Sequence, residues 1–138
     1  MTENYGRSIK LAANHMTQNM DAYAQQFDLT GTQMSILDFI VHAPAVCLQR
    51  DIEAEFAIRR STATGLLKRM AARDLIVEQR YAGDTRQKQV TLTAKGQALQ
   101  EATSAYIQRS QAAFVAAFSP AARAQFSEML AYWRKVSE

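Results

Sequence analysis

The chain has one cysteine, two prolines and five glycines in 138 residues. The single thiol, Cys47, leaves no intramolecular disulfide to hold a fold together. So little glycine and proline excludes a disordered or all-β chain. No apolar run approaches the roughly 20 residues that span a bilayer, so no membrane partner is expected. Met1-Thr2-Glu3-Asn4 lacks the basic and apolar regions of a signal peptide, which sets the expectation of a cytoplasmic protein. No Ser/His/Asp arrangement, phosphate loop or paired-carboxylate motif stands out, so no enzyme is expected. The two histidines, His15 and His42, have no Asp, Glu or Cys companions at a recognisable ligand spacing. Neither a metal nor another cofactor is expected.

What is present is helical periodicity. Ile9, Ala13, Met16, Met20, Tyr23 and Phe27 recur at steps of three and four, which predicts one helix from about Tyr5 to Phe27. Asp28-Leu29-Thr30-Gly31 breaks it. Thr30 with Gln33 forms a capping-box signal for a second helix, which Pro44 should stop. A short helix over about Gln49–Phe56 should bury Ile52 and Phe56. Ala57-Ile58-Arg59 then turns into a helix from about Arg60 to Arg73. A strand near Ile76–Arg80, a tip at Ala82–Arg86 and a return strand near Gln89–Leu92 follow, because Val90 and Leu92 alternate with polar residues. Two helices close the chain, from about Ala94 to Ala117 and from about Pro120 to Val136. Ser119-Pro120 marks the start of the last one.

The charge is uneven along this order. The chain holds 16 Lys and Arg against 13 Asp and Glu. Eight of those cations and three of those anions fall within residues 59–88, an excess of five in a chain whose net charge is +3. A local basic excess is the footprint expected for a polyanion partner.

The basic block has a direction. At about 100° per residue, Ala63, Leu66, Leu67 and Met70 share the core side of the fourth helix. Ser61, Thr64, Gly65 and Lys68 lie opposite, flanked by Arg60, Thr62 and Arg69. Small and hydroxylated residues let a helix axis approach base edges, and Ser and Thr bond bases or phosphate. Gly65 has two readings: close approach of backbone to DNA, or tight packing on another helix. Arg59 stands at the N-cap, where Ser, Thr, Asp or Asn is usual, and a phosphate contact would compensate. In the hairpin, Arg80, Arg86 and Lys88 surround a tip containing Gly83, Asp84 and Thr85. Arg86 is placed to reach a minor groove or phosphate, whereas Asp84 is expected to fix the loop by pairing with Arg86. The bland alternatives are a solvated helix face and a surface turn. A second functional class is a winged-helix module that binds protein without specific DNA binding.

These residues resemble the MarR (multiple antibiotic resistance regulator) transcription factors over nearly the whole chain. The matching pieces are Ser61-Thr62-Ala63-Thr64, Leu66-Leu67-Lys68-Arg69-Met70, Asp74-Leu75-Ile76-Val77, the wing motif Asp84-Thr85-Arg86, and Leu92-Thr93-Ala94-Lys95-Gly96. Arg73-Asp74 departs from the glycine many members carry before the leucine, although Asp tolerates a left-handed helix end. The resemblance implies a mainly α fold with a small β-hairpin wing: a winged helix-turn-helix plus a helical dimerisation lobe. Residues 30–93 would form the DNA-binding lobe within a single unit of 1–138, and 5–27 with 94–137 the dimerisation lobe. It implies a homodimer on a pseudo-palindromic double-stranded operator, usually repressing. Many members are released by a small, often phenolic, aromatic effector; the motifs name no residue of its pocket.

The flanking helices fit a dimer. Leu99, Tyr106, Ile107, Phe114, Phe118, Phe126 and Trp133 are many large apolar groups for one small lobe to bury. Cys47 is a candidate redox sensor. Peroxide-sensing members carry the reactive cysteine in the first helix, which here has none, so a small buried hydrophobe is the stronger reading.

Overall fold

A computed structural model describes residues 2–43 and 45–135. In chain order it has α1 (Tyr5–Ala24), a 3-10 turn (Gln25–Phe27), α2 (Gly31–His42), α3 (Gln49–Phe56), α4 (Arg60–Ala72), β1 (Ile76–Tyr81), β2 (Asp84–Leu92), α5 (Ala94–Ala117) and α6 (Pro120–Lys135). Pro44 and Val136, the expected stops of α2 and α6, lie outside the described residues, as does the expected lobe boundary at 137.

Helix ends follow local chemistry. The Asn4 side chain accepts from the Arg7 amide at 3.0 Å and starts α1. The expected continuous helix to Phe27 is not found: its last turn tightens to 3-10 and ends at Asp28 in the left-handed region, φ 58°. The Arg73 guanidinium donates to the Phe27 carbonyl at 3.1 Å and also to that of Asp28. A cation 45 residues away thereby satisfies the carbonyls exposed by the break. The expected capping box is present in α2, where the Thr30 hydroxyl accepts from the Gln33 amide and the Gln33 side chain accepts from the Thr30 amide. At α3 the Asp51 carboxylate accepts from the Leu48 amide at 2.9 Å. Ala57, φ 51°, makes the turn into α4. α4 stops one residue before its expected end, with Arg73 as C-cap, and Asp74 takes the left-handed conformation, φ 62°.

The hairpin is longer than its alternation suggested. β1 runs on to Tyr81 and β2 begins at Asp84, so the turn is Ala82-Gly83 alone rather than the whole of Ala82–Arg86. The register is regular from Ile76 opposite Leu92 to Arg80 opposite Lys88, then jumps to Tyr81 opposite Asp84. Thr85, Arg86 and Gln87 therefore stand opposite the single step from Arg80 to Tyr81. A bulge of this kind bends a strand and re-aims its side chains. The segment before α3 adds a third rung, with Leu48 bridged to Gln89 and the Val90 amide donating to the Cys47 carbonyl at 2.9 Å.

The chain forms two compact units, residues 1–103 and 104–138. This division by compactness falls inside α5 and differs from the expected grouping of 5–27 with 94–137, which is a division by role. The first unit holds a core of Met34, Ile36 and Leu37 from α2, Ile52 from α3, Leu67 and Met70 from α4, and Leu75, Ile76 and Val90 from the wing base. Ile52 is fully buried, as expected, and Phe56 half-buried, edge-on to Phe39 at 5.9 Å. α5 starts against this core with no room to spare. A Cβ on Gly96 would lie 2.0 Å from the Leu75 carbonyl oxygen. The Thr93 hydroxyl accepts from the Gly96 amide at 3.0 Å and donates to the Asp74 carbonyl at 2.6 Å. Lys95 donates to the Arg73 carbonyl at 3.1 Å. The Leu-Thr-x-x-Gly run is thus the joint that ties the end of α4 and the wing to α5.

The second unit is built differently. Ser119 caps α6 as expected, accepting from the Ala122 amide at 3.1 Å. Phe114 touches Phe118 and Phe126 at ring separations of 5.4 and 5.5 Å. All three rings nevertheless remain exposed, as do Met129, Tyr132 and Trp133, and no described residue of α6 is buried.

Candidate nucleic-acid interface

α3, the turn at Ala57, α4 and the β1–β2 hairpin make a winged helix-turn-helix. α4 presents the two faces its periodicity requires. Ala63, Leu67 and Met70 are fully buried and Leu66 partly so. Arg59, Arg60, Ser61, Thr62, Lys68 and Arg69 are exposed. No side chain caps the start of α4, so its first amides face outward beside Arg59 and Arg60. Gly65 is half-exposed, and a Cβ there would meet only the flexible Arg69 guanidinium, at 3.4 Å. No helix packs on Gly65, so the packing reading of this glycine is set aside.

Thr64 departs from the expected free hydroxyl. It is half-buried, and its Oγ1 donates to the Arg60 carbonyl at 2.9 Å while accepting from Gln49 Nε2 at 3.0 Å. The reason is that α3 lies against this side of α4, and a hydroxyl there must be paired.

The bulge organises the wing. Asp84 Oδ1 accepts from the Arg86 amide and from its Nε, both at 3.1 Å, and Oδ2 accepts from Nη2 at 3.3 Å. This is the pair expected from the sequence. The Arg86 side chain, its amide and, more weakly, Arg50 hold the Asp84 carboxyl below the usual carboxylate range. Arg86 itself stays highly exposed, with one edge of its guanidinium fixed and the other free. Arg80 donates to the Thr85 carbonyl at 2.8 Å and so braces the bulge from the opposite strand. Lys88 Nζ lies 4.0 Å from Glu78 Oε1, a buried oxygen with no hydrogen-bond partner.

Between α3, the start of α4 and the wing is a hollow of about 450 Å³. Arg50, Arg60, Arg80, Arg86 and Lys88 line it, with Glu53 as its acid. The structure therefore brings Arg60, Thr64, Arg80, Arg86 and Lys88 together around one basic concavity. Thr62 and Arg69 line another cleft, on a different flank of α4. Gln49, Arg50, Glu53 and Gln87 belong to the hollow and were missed in the sequence. Reading α3 only for its buried Ile52 and Phe56 hid the other face, where Gln49, Arg50 and Glu53 sit at helical spacing.

The Cys47 thiol is buried, and burial, with a smaller contribution from Asp51, pushes its pKa up to about 11. That is the opposite of a reactive sensor thiol. Among the described residues no group of three His, Cys, Asp or Glu could hold a metal ion, and no helix is long and apolar enough to cross a membrane.

Comparison with known proteins agrees with this architecture. The model of the MarR family matches residues 27–87. A crystal structure of the transcription regulator MarR from Oenococcus oeni PSU-1 is 34% identical, covers 96% of this chain and 100% of its own, and superposes with a TM-score of 0.81. A MepR–DNA complex from S. aureus is 26% identical over 96% of this chain and 99% of its own, with a TM-score of 0.78. MepR of the same organism in its DNA-binding conformation reaches a TM-score of 0.88 at 26% identity, over 95% of this chain and 96% of its own. None of the curated proteins matches the chain. The chain belongs to the MarR family.

Proposed function

We propose that this protein is a homodimeric, sequence-specific DNA-binding transcription regulator. In this reading it represses from a pseudo-palindromic operator and is released by a small aromatic or phenolic effector. The observation that carries the reading is the pairing of an uncapped, exposed α4 start with a wing whose bulge holds Arg86 outward beside the same basic hollow. α4 enters the major groove, with Ser61, Thr62, Thr64, Gly65 and Lys68 toward base edges and Arg59, Arg60 and Arg69 toward phosphates. Thr85, Arg86 and Lys88 of the wing reach the flanking backbone or minor groove, braced by Arg80 and Asp84. The S. aureus MepR–DNA complex supports a DNA-bound state for a chain of this shape.

Dimerisation is supported by the exposed apolar side chains of α5, α6 and the turn between them. Phe118 is 53% exposed and Met129 58%, surface that a second copy would remove from water. The dimerisation lobe is assigned to 5–27 and 94–137, the DNA lobe to 30–93. Effector release is supported by a cleft of about 620 Å³ lined by Leu29, Ile58 and Leu66 together with Thr62 and Arg69. An apolar floor rimmed by Asp21 and Arg69 suits a neutral aromatic or phenolic molecule. Occupying it would place a ligand against the flank of α4.

The test is titration of the protein against its own upstream duplex and a scrambled duplex at two salt concentrations. Tight, selective and salt-sensitive binding is expected. Weak salt dependence with no selectivity would favour a protein-interaction module instead.

A further inference from the structure

The five cations of the hollow are not equally free. Arg80 is committed to the Thr85 carbonyl, Arg86 has one edge of its guanidinium on Asp84, and Lys88 lies 4.0 Å from Glu78. Arg50 of α3 and Arg60 of α4 are exposed, and among the described residues no hydrogen bond or ion pair occupies either guanidinium. Glu53, the one acid of the hollow, accepts from Gln49 at 3.1 Å and, among the described residues, forms an ion pair with none of the five. After the Arg86 hydrogen bonds, the charge of Arg50 also lowers the Asp84 carboxyl, so α3 brings this arginine close to the wing. Each of the two helices thus contributes one uncommitted arginine, and the wing contributes the free edge of Arg86. Cations gathered in this way repel one another until an anion enters between them.

From this arrangement we infer that Arg50 is a further DNA-contacting residue, which with Arg60 grips one backbone phosphate per half-site in the hollow. The inference rests on the proposed docking of α4 in the major groove and deepens it. With α4 in a major groove and the wing at the neighbouring minor groove, the strand that separates the two grooves has to cross the gap between α4 and the wing. That gap is the hollow, and α3 is its third wall. A guanidinium offers paired N–H groups to two phosphate oxygens, so two arginines from different helices fix a phosphate in place as well as attract it. Such a contact carries no base preference. It sets the register in which α4 meets the bases. Arg50 thereby ties α3, which lies outside the reading face, to the position of α4 on the duplex.

The test is a scan in which each phosphate of the protein's own upstream duplex is replaced in turn by an uncharged methylphosphonate. The wild type, Arg50→Gln and Arg50→Lys are titrated against every duplex, and melting curves confirm that each variant is folded. On the unmodified duplex Arg50→Gln is expected to bind about tenfold more weakly, the worth of one charge-assisted hydrogen bond. Its salt slope should drop by about one per half-site. Arg50→Lys keeps the slope and recovers only part of the affinity, because an ammonium lacks the paired geometry. In the scan the wild type loses affinity at several phosphates. Arg50→Gln loses as much at all of them except one per half-site, where neutralisation costs it little because the charge partner is already gone. Equal losses for the two proteins at every phosphate would make Arg50 a support of the wing, which overturns this inference and leaves the DNA-binding reading standing. Wild-type affinity and slope in Arg50→Gln would do the same. A wild type that binds no duplex overturns both.

Discussion

Two regions of this chain solve the problem of apolar surface in opposite ways. The α4–wing region closes on itself: Leu67, Met70, Leu75, Ile76 and Val90 are buried, and the polar groups around them are tied by Arg73, Thr93, Lys95 and Gln49. α6 buries nothing, and its Phe126, Met129 and Trp133 remain open to water. A region complete in one chain is free to present charge to a partner of another kind. A region left unfinished in one chain needs more protein to finish it. In the proposed function polar precision serves the DNA side and bare apolar area serves a dimer, so substitutions in the two should fail in different assays.

The largest effect is expected at the joint below the wing. Gly96→Ala forces a Cβ into the Leu75 carbonyl, contact with backbone that no rotamer change relieves. It should cost about 3 kcal/mol of folding stability, as overpacking of a tight site does. Denaturant unfolding measures it, and a loss below the error of the fit would show that α5 can back away.

Trp133→Ala should leave folding of the first unit intact and weaken self-association. Trp133 is 46% exposed, so burying the rest of its ring is worth about 1 kcal/mol per chain, about 2 kcal/mol for the two chains, or roughly thirtyfold in the dimer dissociation constant. Sedimentation equilibrium reads this directly, and an unchanged constant removes α6 from the interface.

Gly65→Ala sharpens the contrast further because stability and function should move in opposite directions. Alanine is favoured over glycine in a helix interior by about 1 kcal/mol. The site has room for a methyl group, with only the Arg69 side chain nearby. The variant should melt higher and bind DNA more weakly. A variant that is more stable and binds as the wild type does would separate Gly65 from the DNA surface.

The smallest change in stability is expected from Arg86→Ala, within about 0.5 kcal/mol for an exposed side chain. Its effect belongs to binding: affinity falls for every duplex and the salt slope drops by about one. An unchanged slope would take the phosphate role away from Arg86.

Most of the fold was legible because its signals are local. The Thr30–Gln33 box, Ser119-Pro120 and the left-handed Asp74 each act within a few residues, and each is present in the structure. The motif Asp84-Thr85-Arg86 was legible as a pair for the same reason. What escaped was set by distant contacts. The 3-10 end of α1 is held by Arg73, far along the chain, and periodicity alone cannot show it. The strand pattern placed the start of the tip but ran it on through Arg86, and it missed the three-residue bulge, whose residues carry no alternation to break. Thr64 was assigned to an open face because helical spacing locates a side chain without showing its neighbour. Gln49 comes from another helix, and only packing brings the two together.

The most direct test of the account is a hydroxyl-radical footprint of the protein on its own upstream DNA. Two protected segments centred about one helical turn apart, or a multiple of it, with outer protection in the flanking minor grooves, are expected for two copies of α4 and its wing. Loss of only the outer protection in Arg86→Ala would assign it to the wing. No protection, or uniform coverage without a repeat, would contradict a paired reading helix and wing.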